Sequence, residues 1–137
     1  MLGVRGQSIF EEIKMLYPYE GGDMGIGNFP VTKYGVDVVV AISGTKSAAG
    51  DMKGSAFCAV AMPAAIDGTT MKFETSINGI DYFPVVNPDD GAEYSVPVVA
   101  SKVTPVNIAY FYHARYVKAV FGTTQTAERT VKLLGKV

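Results

Sequence analysis

Met71-Lys72-Phe73-Glu74-Thr75-Ser76-Ile77-Asn78-Gly79-Ile80-Asp81-Tyr82-Phe83-Pro84-Val85-Val86 is the stretch that decides the fold. Met71, Phe73, Thr75 and Ile77 alternate with Lys72, Glu74 and Ser76, and side chains two apart share one face of a strand. Asn78-Gly79 supplies two neighbouring residues that tolerate positive φ, which the tight turn matching the right-handed twist of antiparallel strands requires. The segment therefore reads as a β-hairpin. Pro84 has no N–H to give a ladder, so the returning strand over Ile80–Val86 belongs at a sheet edge or a bulge.

Strand signals continue on both sides of it. Upstream, the period changes from Tyr34, and Val36–Ile42 reads as a buried strand. A loop over Ser43–Ser55 separates it from Phe57–Met62, which Pro63 ends. Downstream, Asn87-Pro88-Asp89-Asp90-Gly91 is a turn, followed by strands at Glu93–Val99, Asn107–Tyr112, Tyr116–Phe121 and Thr130–Leu134. Composition agrees: the 137 residues hold 18 Val, 8 Ile and 10 Thr against 4 Leu, with 7 Phe and 8 Tyr. The fold class is all-β, a β-sandwich or jelly roll of about eight short antiparallel strands. An immunoglobulin-like domain fits less well, for there is no Trp and no cysteine pair.

The first residues follow another rule. Ser8-Ile9-Phe10-Glu11 has the form of a capping box, and Ile9, Phe10, Ile13 and Leu16 recur at helical spacing, predicting a helix over 8–16 that stops before Pro18. Gly21, Gly22, Gly25 and Gly27 make 17–30 a loop or extended arm. The division is thus 1–34, helix and glycine-rich arm, and 35–137, the β-domain. The helix either caps the open end of the sandwich or docks on a neighbouring subunit.

Several functions are disfavoured at this level. A chain 48% hydrophobic and 18% charged is not disordered, and no run approaches the roughly 18 apolar residues of a membrane helix. The opening MLGVRGQ lacks a signal peptide's apolar centre, so synthesis is expected in the cytoplasm. Cys58 is single, which excludes an intrachain disulfide and predicts a small buried apolar residue. His113, the single histidine, sits between strands with no nucleophile signature to serve. Gly44-Thr45-Lys46-Ser47 lacks the leading spacing of a phosphate loop, and Gly25-Ile26-Gly27 lacks a third glycine. Asn87, Asp89, Asp90 and Glu93 form a dense oxygen group, but the same residue types set the dihedrals of a turn. No catalytic residue, cofactor or metal site is expected.

Charge is unevenly spread. Residues 1–100 carry 6 basic and 12 acidic side chains, whereas 101–137 carry Lys102, Arg115, Lys118, Arg129, Lys132 and Lys136 against Glu128. Strands distant in sequence can pair these charges within one molecule, or opposite ends can attract between copies. The basic residues fall on separate strands of a slightly acidic protein, which does not predict nucleic-acid binding. The aromatic run Tyr110-Phe111-Tyr112, read as a strand, puts Tyr110 and Tyr112 on one face and Phe111 on the other. The tyrosine face suits a subunit interface or a stacking platform for sugar.

Met62-Pro63-Ala64-Ala65, Thr70–Ser76 leading to Asn78-Gly79, the acidic turn before Glu93-Tyr94-Ser95-Val96, and Arg115-Tyr116-Val117-Lys118 running to Gly122-Thr123 and Arg129-Thr130-Val131 carry a resemblance. Through them, Ser55–Val137 resembles small tailed-phage and prophage virion proteins, in particular capsid decoration or cementing proteins of short-tailed phages. Phe121 stands where those proteins carry a polar residue before Gly-Thr. The resemblance implies a non-enzymatic structural protein on the outer surface of the virion, with the major capsid protein of a phage as partner and a homo-oligomer, dimer or trimer, as its state. No nucleic acid or membrane partner is implied. The candidate self- or capsid-interface residues are Ile9, Phe10, Ile13, Leu16, Phe29, Tyr34, Tyr110 and Tyr112. The alternative is a carbohydrate-binding β-sandwich module of a phage tail or cell-surface protein.

Overall fold

The structure is a computed structural model and describes residues 33–137. The helix expected over 8–16, the glycine-rich stretch after it, and Ile9, Phe10, Ile13, Leu16 and Phe29 lie outside the described residues. Among those described, the strands form two antiparallel sheets. One holds, in order, β1 (Lys33–Val40), β9 (Arg129–Lys136), β3 (Ala56–Ala61) and β7 (Val103–Pro105). The other holds β2 (Gly50–Asp51), β8 (Tyr116–Phe121), β4 (Thr70–Ser76) and β5 (Phe83–Pro84), with β6 (Ser95–Pro97) paired to β4 beside β5.

Alternation builds the core. Met71, Phe73 and Thr75 of β4 point inward, as do Val117, Ala119 and Phe121 of β8 and Val131 and Leu133 of β9. The sheets meet through aromatic edges: Phe57 and Phe73 have centroids 5.2 Å apart, and Phe111 meets them at 4.9 and 5.5 Å, all T-shaped. Such contacts place the positive ring edge on the negative face and add about 0.5–1.5 kcal/mol per pair beyond area burial. The Tyr34 hydroxyl on β1 donates to the Asp51 carbonyl on β2 at 2.8 Å, tying the two sheets at one side.

Four expectations are corrected. Asn107–Tyr112 is not a strand: Ile108–Phe111 is a 3₁₀ helix, because the Asn107 side chain caps it by accepting from the Ala109 N–H at 3.1 Å. Phe111 still reaches the core, but Tyr110 and Tyr112 no longer share a face. The hairpin exists with a wider connection: Thr75 faces Phe83 and Glu74 faces Pro84, leaving 77–82 outside the ladder and cutting the returning strand to two residues, at the sheet edge Pro84 requires. Val36–Ile42 is not buried on both faces; β1 starts at Lys33, ends at Val40 and keeps Asp37 and Val39 exposed. Cys58 is half-buried because it is the extra residue of a bulge, with Phe57 opposite Gly135 and Ala59 already opposite Leu134.

The two charge populations meet inside one molecule. Lys132 pairs with Asp37 at 2.7 Å, Arg115 with Asp51 at 3.1 Å and Arg129 with Asp67 at 3.3 Å, so half of the basic C-terminal groups neutralise acids from earlier in the chain.

Candidate functional site

At Ser76 the chain leaves β4, and side chains replace the ladder. Ser76 Oγ accepts from the N–H groups of Asn78 (3.2 Å) and Gly79 (2.8 Å) and donates to Asn78 Oδ1 at 2.9 Å. Asn78 Oδ1 also accepts from Ile80 N–H (2.9 Å) and Asp81 N–H (3.0 Å), while its amide donates to Asp81 Oδ2 at 3.1 Å. Gly79 takes φ +79°, the left-handed region that glycine enters without a Cβ clash. This knot holds Ile77 72% exposed and Ile80 79% exposed, and Phe83 follows at 68%. Lys118 Nζ lies 4.2 Å over the Tyr82 ring behind the turn, and burial, with the nearby Tyr116, pushes the Tyr82 hydroxyl above its usual range.

The 3₁₀ helix and the turn after it carry Tyr110 and His113 to the other side. Between the two lies an open cleft of about 500 Å³. Thr75, Ser76, Tyr110 and His113 line it with Ile77, Asn78 and Asp81, and its far wall is Phe83, Pro84, Val85, Val86 and Pro88. His113 Nε2 lies 2.9 Å from Thr75 Oγ1. The cleft is thus an apolar trough with a hydroxyl–imidazole pair and a single carboxylate, a composition suited to gripping an apolar group and orienting it.

The sequence-derived candidates fall in different places. Tyr110 lines the cleft, half-buried, with its ring edge-on to Tyr94 at 5.1 Å. Tyr112 is 71% exposed and does not line it. Tyr34 is engaged in the β1–β2 tie. Sequence reasoning missed Phe83, Val86 and Pro88 as a group, although Pro84 already marked this strand as an edge.

The acidic turn is built as a turn. Asn87 Oδ1 accepts from Asp89 N–H and Asp90 Oδ1 from Ala92 N–H, both at 2.9 Å, and Glu93 pairs with Lys72 at 3.1 Å. Among the described residues no group of three or more His, Cys, Asp and Glu side chains converges as metal ligands do. Of Gly44-Thr45-Lys46-Ser47, Lys46 pairs with Glu74 at 2.8 Å, and the buried Ser47 hydroxyl accepts from Ala119 N–H at 2.9 Å, so these groups serve the sandwich.

No protein-family model matches this chain, and no curated protein does. Among solved structures, the SPBc2 prophage-derived protein YomS is similar at 14% identity and a TM-score of 0.48, over 80% of this chain and 100% of that one. The role of this chain is therefore read from its own residues.

Proposed function

We propose that this chain is a non-enzymatic structural protein of a phage virion that decorates the capsid and cements it by binding the major capsid protein lattice from outside. The observation that carries the reading is the grouping of Ile77, Phe83 and Val86, exposed apolar side chains, around an open cleft on a sandwich with a closed apolar core. A contiguous apolar surface is costly in water and is relieved when a protein partner covers it. The sequence resemblance supplies the kind of partner. On a shell, symmetry repeats each contact many times, so a few kcal/mol per copy accumulate as shell stability by linkage.

In this reading residues 1–32 are the tether to the shell, with Ile9, Phe10, Ile13, Leu16 and Phe29 as apolar anchors that a partner buries. Residues 33–137 are the body, and no cofactor or metal takes part. The test uses shells of the encoding phage prepared without this protein. Full-length chain should sediment with them and raise the temperature at which they rupture, while 33–137, whose core runs from Val38 to Leu133 among the described residues, should fold and bind more weakly. A full-length chain that stays in the supernatant overturns the reading. Submillimolar binding to one sugar on a glycan array, without shell binding, favours the carbohydrate module instead.

A further inference from the structure

We infer that the cleft is a self-contact, receiving the Val99–Val103 turn of a second copy in a head-to-tail arrangement. Three observations meet in it. First, the cleft wing holds acids that the fold does not neutralise. Among the described residues, salt bridges take up Asp37, Asp51, Asp67, Glu74 and Glu93. Asp81, Asp89 and Asp90 are in none of them, and the segment from Ile77 to Ala92 has no Lys or Arg of its own, the Lys118 ammonium reaching it at the Tyr82 ring.

Second, the molecule carries a knob of complementary chemistry. Val99 and Val103 are 57% and 58% exposed and flank the exposed Lys102, which enters no salt bridge among the described residues. The knob is rigid: Lys102 N–H donates to Val99 O (3.1 Å), Ser101 N–H to Pro63 O (2.9 Å), and Met62 N–H to Lys102 O (3.0 Å). Two apolar side chains with an ammonium between them match an apolar trough that holds the Asp81 carboxylate, and a turn already held in shape loses little entropy on docking.

Third, the two features lie at opposite ends of one strand. The knob adjoins the start of β4, where Thr70 faces Pro97 and Val98 N–H donates to Thr69 O, while the cleft begins at Thr75 and Ser76. At about 3.3 Å per residue they stand on the order of 20 Å apart, so a copy cannot fill its own cleft. Each contact therefore pairs unlike surfaces of two copies, a cleft with a knob.

The test mixes two full-length variants with exposed substitutions, each checked for native circular dichroism. Phe83→Asp destroys the cleft and keeps the knob; Lys102→Glu does the reverse. The wild-type chain should associate in sedimentation velocity, less at high salt. Each variant alone should associate about tenfold more weakly or less, and the equimolar mixture should yield a one-to-one dimer that grows no further. Wild-type chain that stays monomeric at high micromolar concentration, variants that associate like wild type, or a mixture that stays monomeric overturns the contact. This outcome is separable from shell binding: a monomeric chain that coats shells refutes the self-contact alone, and an assembling chain that ignores shells refutes the cementing role alone.

Discussion

Gln125 shows how much one residue can hold. Its side chain is fully buried, donates to Asp67 O (2.8 Å) and Thr123 O (2.9 Å), and accepts from Asp67 N–H (2.9 Å) and Arg129 Nε (3.3 Å). Its own N–H and carbonyl bond to Gly44 O and Ser43 N–H, so three connecting segments meet at one amide. Gln125→Leu keeps approximate size and strands several backbone groups, each costing about 1–3 kcal/mol when buried without a partner; urea unfolding should show a loss on the order of 3 kcal/mol. A loss near zero would mean water replaces the amide. Beside it, Asp67 accepts from the Thr126 N–H (2.6 Å), the Thr126 hydroxyl (2.9 Å) and Arg129 (3.3 Å). Those bonds, the Thr126 N–H foremost, hold its carboxyl below the usual carboxylate range. Since the folded value lies below the unfolded one, its stabilisation is complete above about pH 4 and is lost as pH falls through the folded value. Asp67→Asn should lower the melting temperature at neutral pH, with the gap to wild type closing in acid. A gap that stays constant would contradict this.

Elements differ in how far their residues announce them. Tyr116–Phe121 is a strand with the bounds its alternation predicts, β9 extends its own by a residue or two, and β4 gains Thr70 and loses Ile77, because one buried face imposes period two on the sequence. β2 and β7 are short strands set by their neighbours, and no periodicity of their own marks them. Tyr110-Phe111-Tyr112 misled for a definite reason: three residues of high strand propensity lost to one Asn107 cap, since propensity is weak beside a formed hydrogen bond. The cleft stayed hidden because its two sides lie some thirty positions apart, at Thr75–Pro88 and at Tyr110 and His113. β2 also carries a test of packing. A Cβ on Gly50 would lie 2.8 Å from Leu133 Cδ1 and 3.0 Å from Val38 Cγ1, so Gly50→Ala should destabilise by about 1–3 kcal/mol through overpacking. A neutral or stabilising result in the same urea measurement would show that the sheets part there freely.

At the scale of the whole molecule, part of the uneven charge of the sequence becomes internal neutralisation, and among the charges outside salt bridges are Asp81 in the cleft and Lys102 on the knob at the other end of β4. Fold class and strand alternation were legible because they follow from local patterning. The docking chemistry was not, for it depends on which charges find partners once the strands pair. A domain with this distribution suits repeated contact on a lattice, where weak unlike surfaces meet many times. The direct measurement of the proposed role is electron cryomicroscopy of phage shells prepared without this protein and then mixed with it. The account predicts added density at repeated positions on the outer surface, of a size fitting one or a few sandwich domains, and absent when the protein is withheld. Shells that stay bare at saturating protein would contradict it.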